Sequence, residues 1–179
     1  MEYLDIVDEY GNPNGKTIER TVAHAKGIRH RTSHVWLVRK KNEQIQILLQ
    51  KRASNKDSYP GCYDISSAGH IPAGKDWIES ALRELQEELN LQVSANELIE
   101  CGIRKIDSKN IFHNQAFIDK QVSKVFLLWK DQDDFQVQKE EIESVRWMNF
   151  EECYQKVKEN AFKHCIALEE LDLLKSHLK

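Results

Sequence analysis

Three glutamates, Glu84, Glu87 and Glu88, fall within the segment Arg83-Glu84-Leu85-Gln86-Glu87-Glu88. On a helix, residues three and four apart are surface neighbours, so all three acids share one surface. Like charges so placed repel one another unless something positive sits among them. Arg83 offsets part of that repulsion, and a divalent cation offsets more. Carboxylate oxygens are hard ligands that suit Mg²⁺ or Mn²⁺ better than zinc. Such ions serve phosphate chemistry, where charge on phosphoryl oxygens must be neutralised. The plainer alternative is a solvated helix face. Against it stands the loop that leads into the helix, which carries Gly69 and Gly74 and allows a close backbone approach.

The elements that must position these acids can be read from periodicity. Asp76 is a good N-cap, and Glu79 three positions later completes a capping-box pattern. Trp77, Ala81, Leu85 and Leu89, widened by Leu82, make an apolar stripe, and Asn90 suits a left-handed stop. The acids flank that stripe, so one helix can pack on a sheet and present ligands at its edge. Upstream, residues 5–15 read as a strand and a turn, with the reversal expected at Asn12-Pro13-Asn14-Gly15. Residues 21–27 fit either a short helix or an irregular loop. Residues 33–38 and 44–50 suggest a hairpin across a polar turn, and residues 64–67 a short strand leading into Gly69. Downstream, residues 99–106, 115–129 and 145–148 have strand character, and the apolar run 122–129 suggests a central strand. Residues 107–114 read as a loop. From Phe150 the chain reads helical, with a terminal helix over 162–177 packed through Leu168, Leu171 and Leu174. The mixed order predicts one α/β domain over residues 1–179 with a mixed sheet.

Composition limits the function classes. The chain has 179 residues, 40% hydrophobic and 31% charged, with a net charge of −3, which argues against an extended nucleic-acid surface. No apolar run has bilayer length, and the N-terminus lacks the basic-then-apolar layout of a secretory signal. Cys62, Cys101, Cys153 and Cys165 form no CxxC pair, so reduced thiols in a cytoplasmic protein are expected.

The segment from Gly69 to Leu91 resembles the Nudix hydrolase family box. That box runs Gly, five residues, Glu, seven residues, then Arg-Glu-hydrophobic-any-Glu-Glu-any-Gly-hydrophobic, and the register here is gapless. Two positions depart: Lys75 stands where the family has its first Glu, and Asn90 where it has a Gly. The resemblance implies a Nudix-type α/β/α sandwich around a mixed central sheet. It also implies an Mg²⁺-dependent (or Mn²⁺-dependent) pyrophosphohydrolase that opens a diphosphate linkage in a nucleoside diphosphate or a derivative. Carried over residue by residue, Glu84, Glu87, Glu88 and the carbonyl of Ala68 would bind the metal, and Arg83 would orient the carboxylates. The base would be a Glu of the box, with Glu87 the candidate, or one from a later loop, with Glu140, Glu141 and Glu143 the candidates. The family also allows a homodimer, with a small diphosphate as the partner molecule and neither extended nucleic acid nor membrane.

A narrower similarity, over residues 5–92, is to the branch containing isopentenyl-diphosphate isomerase. It is carried by Asp8-Glu9-Tyr10-Gly11-Asn12, Ala23-His24, His30-Arg31, Leu48-Leu49-Gln50-Lys51-Arg52, Lys56 and Tyr59-Pro60-Gly61. In that enzyme His24, His30 and His70 would correspond to imidazoles that help hold a metal. Surface or hydrogen-bonded histidines are the other reading, and His70 could instead meet substrate. Lys51, Arg52 and Lys56 are candidate substrate contacts, since positive charge near a cleft steers anions. The isomerase needs a cysteine where this chain has Ala68, which has no proton to give. The competing functions are therefore that isomerase and a non-catalytic nucleotide-binding module. Tyr59, Phe112 and Phe117 could stack on a base, with core packing as the default.

Overall fold

A computed structural model describes residues 1–179. Strands β1 (Tyr3–Val7) and β2 (Pro13–Glu19) form a separate antiparallel hairpin. It is followed by α1 (Arg20–Lys26), which resolves the ambiguous 21–27 segment as a helix ending on Gly27 in the left-handed conformation. The hairpin reverses earlier than expected, between Val7 and Pro13. Asp8 makes that turn by accepting hydrogen bonds from the backbone N–H groups of Tyr10 and Asn12, each 2.9 Å. With the turn already closed, Pro13 is left to open the second strand, where its missing N–H costs nothing.

The main sheet has seven strands: β3 (His30–Lys41), β4 (Gln44–Arg52), β5 (Tyr63–Asp64), β6 (Ser67–His70), β7 (Ile99–Phe112), β8 (Gln115–Trp129) and β9 (Ile142–Asn149). Its path is β5-β4-β3-β8-β7, with β6 also pairing with β3 and β9 with β4. The sheet is mixed: β3 and β8 run parallel and the other pairs are antiparallel. Strand β8 occupies the interior position that its apolar run foretold.

Helix α2 (Trp77–Leu89) covers one face of the sheet. Ala81, Leu85 and Leu89 pack there against Val35, Leu37, Leu48, Phe126 and Leu128. Helices α3 (Phe150–Glu159) and α4 (Leu168–Lys175) cover the other. Cys153, Val157, Leu171 and Leu174 pack there against Trp36, Val38, Ile47 and Leu127. The result is an α/β/α arrangement around a mixed sheet. No helix is long and apolar enough to cross a membrane. The four cysteines are free thiols.

Three expectations are corrected. Residues 107–114 are mostly strand: β7 and β8 form one long hairpin, paired as far as Phe112 and Gln115, around a turn in which His113 and Asn114 have positive φ. The polar residues taken for a loop are the outward half of a two-residue alternation on an edge strand. The terminal helix is shorter than 162–177. Residues 161–167 are not helical, and Tyr63 and His164 form an isolated parallel bridge, so the backbone is drawn out against β5. The capping box of α2 is half-made. Asp76 accepts from the Glu79 N–H at 2.7 Å, but the Glu79 side chain pairs with Lys75 at 3.0 Å. Asn90 closes the helix in the left-handed region as expected, with φ 53°.

Leu85 is fully buried at the centre of the α2 seam. Leu85→Ala should therefore lower the unfolding free energy by about 2–5 kcal/mol in urea denaturation. A loss below about 1 kcal/mol would show that α2 does not dock through this stripe.

Candidate functional site

The site begins with a backbone position that has no room for a side chain. A Cβ added to Gly69 would lie 2.3 Å from Glu84 Cδ and 2.4 Å from Glu84 Oε1. The Glu84 carboxyl thus rests directly on β6, and only glycine permits it. Arg83 donates to Glu84 at 2.9 Å and to the carbonyl of His70 at 3.4 Å. Its Nε lies 3.7 Å from Glu87 Oε1. Arg83 thereby joins Glu84 and Glu87 to β6.

One turn on, Glu88 is buried and accepts from Ser67 Oγ (2.9 Å), the Ala68 N–H (3.1 Å) and Gln50 Nε2 (3.2 Å). Burial pushes its carboxyl up to about 8, with the neighbouring Glu84 adding to the shift. Burial also raises Glu84, against the pull of Arg83. Glu88 has no basic side chain among its partners, and Arg83 does not offset the burial of Glu84. A divalent cation would supply the missing positive charge, so the donor set fits a hard metal. Glu87 is about half exposed at the helix edge. Lys75, the departure from the motif, does not line the cleft: its ammonium serves Glu79 and its carbonyl accepts from Arg31 at 2.8 Å.

Glu84, Glu87, Glu88, Ala68 and Gly69 line a cleft of about 910 Å³. His24, His30 and His70 converge beside them, and their candidate ligand atoms all lie within 4.8 Å of one another. His24 Nε2 and His70 Nε2 are 3.1 Å apart, while His24 Nδ1 and His30 Nε2 are buried without hydrogen-bond partners. Burial lowers all three imidazoles, His24 to about 3, which keeps them neutral. Neutral, converging imidazoles, two of them with an unpartnered ring nitrogen, could coordinate a metal. Asp119, absent from the sequence reading, stands 3.6 Å from His24 Nδ1 and 4.0 Å from His30 Nε2, and burial raises its carboxyl to about 6. It was illegible because only the β3–β8 register brings it to the histidines.

The expected substrate cations divide. Arg52 and Lys56 line the cleft. Arg52 holds Asp64 at 3.3 Å, and Lys56 pairs with Glu141, another lining residue. Lys51 does not line the cleft. It is next to Arg52 on β4 and so faces the other way, pairing with Glu143 at 3.3 Å outside the cleft. Of the later-loop acids, Glu141 alone reaches the cleft; Glu140 and Glu143 do not line it. Tyr59, Phe112 and Phe117 line it as one aromatic chain. Successive ring centroids are 4.7 and 5.6 Å apart, and Phe117 stacks on His24 at 4.1 Å.

Three more residues, His34, Arg104 and Glu170, escaped the sequence reading. Glu170 of α4 is buried and is contacted by His34 Nδ1 (2.8 Å), Trp36 Nε1 (3.0 Å) and Arg104 (2.7 Å). His34, Arg104 and Glu170 all line the cleft.

The NUDIX domain model matches residues 28–168. An uncharacterized Nudix hydrolase of Clostridium acetobutylicum is 39% identical over 70% of this chain, and the match spans 58% of that protein. An isopentenyl-diphosphate Delta-isomerase of Pectobacterium atrosepticum is 30% identical over 63% of this chain and 62% of its own. The crystal structure of DR0079 from Deinococcus radiodurans superposes with a TM-score of 0.73, covering 97% of this chain and 98% of its own. At 19% identity that likeness concerns the fold.

Gly69→Ala should push the Glu84 carboxyl off β6 at little cost in stability, because the clash is with the end of a flexible side chain. The expected result is Mn²⁺ affinity reduced about tenfold or more by electron paramagnetic titration, with the melting temperature nearly unchanged. Undiminished Mn²⁺ binding would remove Glu84 from the metal-binding set.

Proposed function

The chain belongs to the Nudix family, and from that premise we propose that it is an Mg²⁺-dependent hydrolase, with Mn²⁺ as an alternative, that opens a diphosphate linkage in a nucleoside diphosphate or a derivative. The observation that carries this reading is the seating of Glu84 on Gly69 beside the buried Glu88, in a cleft that also holds Arg52 and Lys56. Glu84, Glu87, Glu88 and the Ala68 carbonyl are the proposed ligands. A divalent cation held there supplies neutralisation of charge on the phosphoryl oxygens.

The remaining roles fall to side chains. Arg83 fixes Glu84 and restrains Glu87. Ser67, Gln50 and the Ala68 amide fix Glu88. Arg52 and Lys56 draw in the anionic substrate. Glu87 is the proposed general base, because it is solvent-accessible and held only loosely by Arg83. Glu141 is the alternative, and Lys56 is paired with it.

Turnover should appear on at least one member of a nucleotide panel with Mg²⁺ and vanish with chelator. Glu87→Gln and Glu88→Gln should each lower kcat about 100-fold or more. Glu88→Gln should leave stability unchanged or raised in metal-free protein, since it replaces a buried carboxyl that resists ionisation. Metal-dependent binding without turnover on the whole panel would instead favour a non-catalytic module.

The histidine cluster with Asp119, together with the Pectobacterium likeness, favours one second reading, the isomerase. Ala68 opposes it by leaving no acid–base group at that position. No deuterium should enter isopentenyl diphosphate incubated with the protein in D₂O, as followed by NMR. Exchange at rates comparable to nucleotide cleavage would reverse the preference.

A further inference from the structure

The face of the sheet beneath the cleft carries an unbroken polar row across four strands. On β6, β3, β8 and β7 the cross-strand partners are His70↔Thr32, Thr32↔Ser123 and Ser123↔Arg104. Directly paired residues project from the same face, so these four side chains form one line. At about 4.8 Å per strand it extends about 14 Å. It starts at His70, whose carbonyl contacts Arg83 and so marks the end with the carboxylates. It finishes at Arg104 and Glu170.

This row is costly where it lies. Thr32 and Ser123 are buried on interior strands, and unpartnered polar groups there destabilise a fold. Thr32 is therefore bonded to Gln121 at 3.0 Å and to Ser123 at a shorter distance. One row further, Val125 and then Trp36 and Leu127 return to ordinary core. His34, on the same face of β3 as Thr32, is held by Glu170. Glu170 also holds one terminal nitrogen of Arg104 at 2.7 Å and Glu169 the other at 3.3 Å, while Arg104 Nε is buried with no partner. The wall thus ends in an incompletely satisfied donor. An anchor for α4 alone would need the contacts of Glu170 with His34, Trp36 and Arg104, but not the hydroxyl row.

We propose that Thr32, His34 and Arg104, braced by Glu170, form a second subsite that receives the nucleoside moiety of the substrate, with Arg104 as the specificity-determining residue. The row is longer than a diphosphate needs, and Thr32, His34 and Arg104 give the cleft a polar, charged wall beyond the carboxylate end. A hydrocarbon tail would remove water from that wall without replacing its polar contacts, and that penalty makes the wall selective. The proposal rests on the diphosphate reading of the carboxylate end.

The test uses three inert probes with Mg²⁺ in calorimetry: methylenediphosphonate, its isopentyl ester, and α,β-methylene-ADP. Wild-type protein should bind α,β-methylene-ADP at least about tenfold more tightly than methylenediphosphonate, and the isopentyl ester should gain nothing. Arg104→Met should bring that preference to within about twofold of unity while leaving methylenediphosphonate affinity unchanged. Arg104→Lys keeps a charge opposite Glu170 but lacks Nε. It should keep its melting temperature and lose most of the preference.

The proposal is overturned by a wild-type preference near unity, by equal gain from the isopentyl group, by failure to bind any probe, or by variants that spare the preference or weaken all probes alike. Failure of the hydrolase reading looks different: the nucleotide panel goes uncleaved while the preference persists.

Discussion

Everything at the carboxylate end depends on the register of α2 against β6. Leu85 must be buried in the seam for the helix to dock, and Glu84, its neighbour in sequence, then arrives on the backbone of Gly69. A rotation that relieved the crowding of Glu84 would withdraw Leu85, and apolar burial of a leucine is worth about 2 kcal/mol. Core packing therefore holds a charged group where electrostatics alone would not put it. Burial opposes ionisation of both Glu84 and Glu88, and the helix still delivers them to the same cleft.

How far the sequence could be read followed the range of the interactions involved. The α2 cap at Asp76, the stripe through Leu85 and the stop at Asn90 are settled within a turn or two of chain, and each appears as read except that Glu79 does not complete the capping box. The hairpin of β3 and β4 is equally local. The errors lie where distant strands decide. Residues 107–114 looked like a loop because an edge strand can be polar on its outward side, and nothing local announces that β8 will pair with it to the tip. Asp119 and Arg104 are ordinary surface-type residues until parallel pairing of β3 with β8, and then antiparallel pairing of β8 with β7, sets Asp119 near His30 and Arg104 beside Ser123. Glu170 reads as solvated on α4, and its burial depends on how that helix meets Trp36.

The same reasoning explains the two departures from the family motif. Asn90 adopts the left-handed conformation that glycine would otherwise supply, so its effect is absorbed locally. Lys75 sits in a stretch tied down from the N-terminal hairpin: Asp5 accepts from the Gly74 N–H at 2.9 Å and from Arg31 at 3.0 Å, and Arg31 in turn reaches the Lys75 carbonyl. The backbone there is fixed by contacts that do not involve the Lys75 side chain, which is free to pair with Glu79 outside the cleft. Substituting the acid at this position leaves the geometry around Gly69 intact.

What distinguishes this cleft is the company Ala68 keeps. Its cross-strand partner is His34, so the two side chains share a face and stand one strand apart. A small side chain at 68 leaves room beside an imidazole that Glu170 orients through Nδ1. Burial opposes charge on His34 and Glu170 alike, yet their contact overrides it, raising the imidazole and lowering the carboxyl. Such a pair is stable only when each partner keeps the other, because a lone buried charge costs several kcal/mol. The C-terminal helix is thereby coupled to the cleft wall. A helix that looks like a peripheral cover for Trp36 supplies the carboxylate without which His34 and Arg104 would not hold their places next to the hydroxyl row.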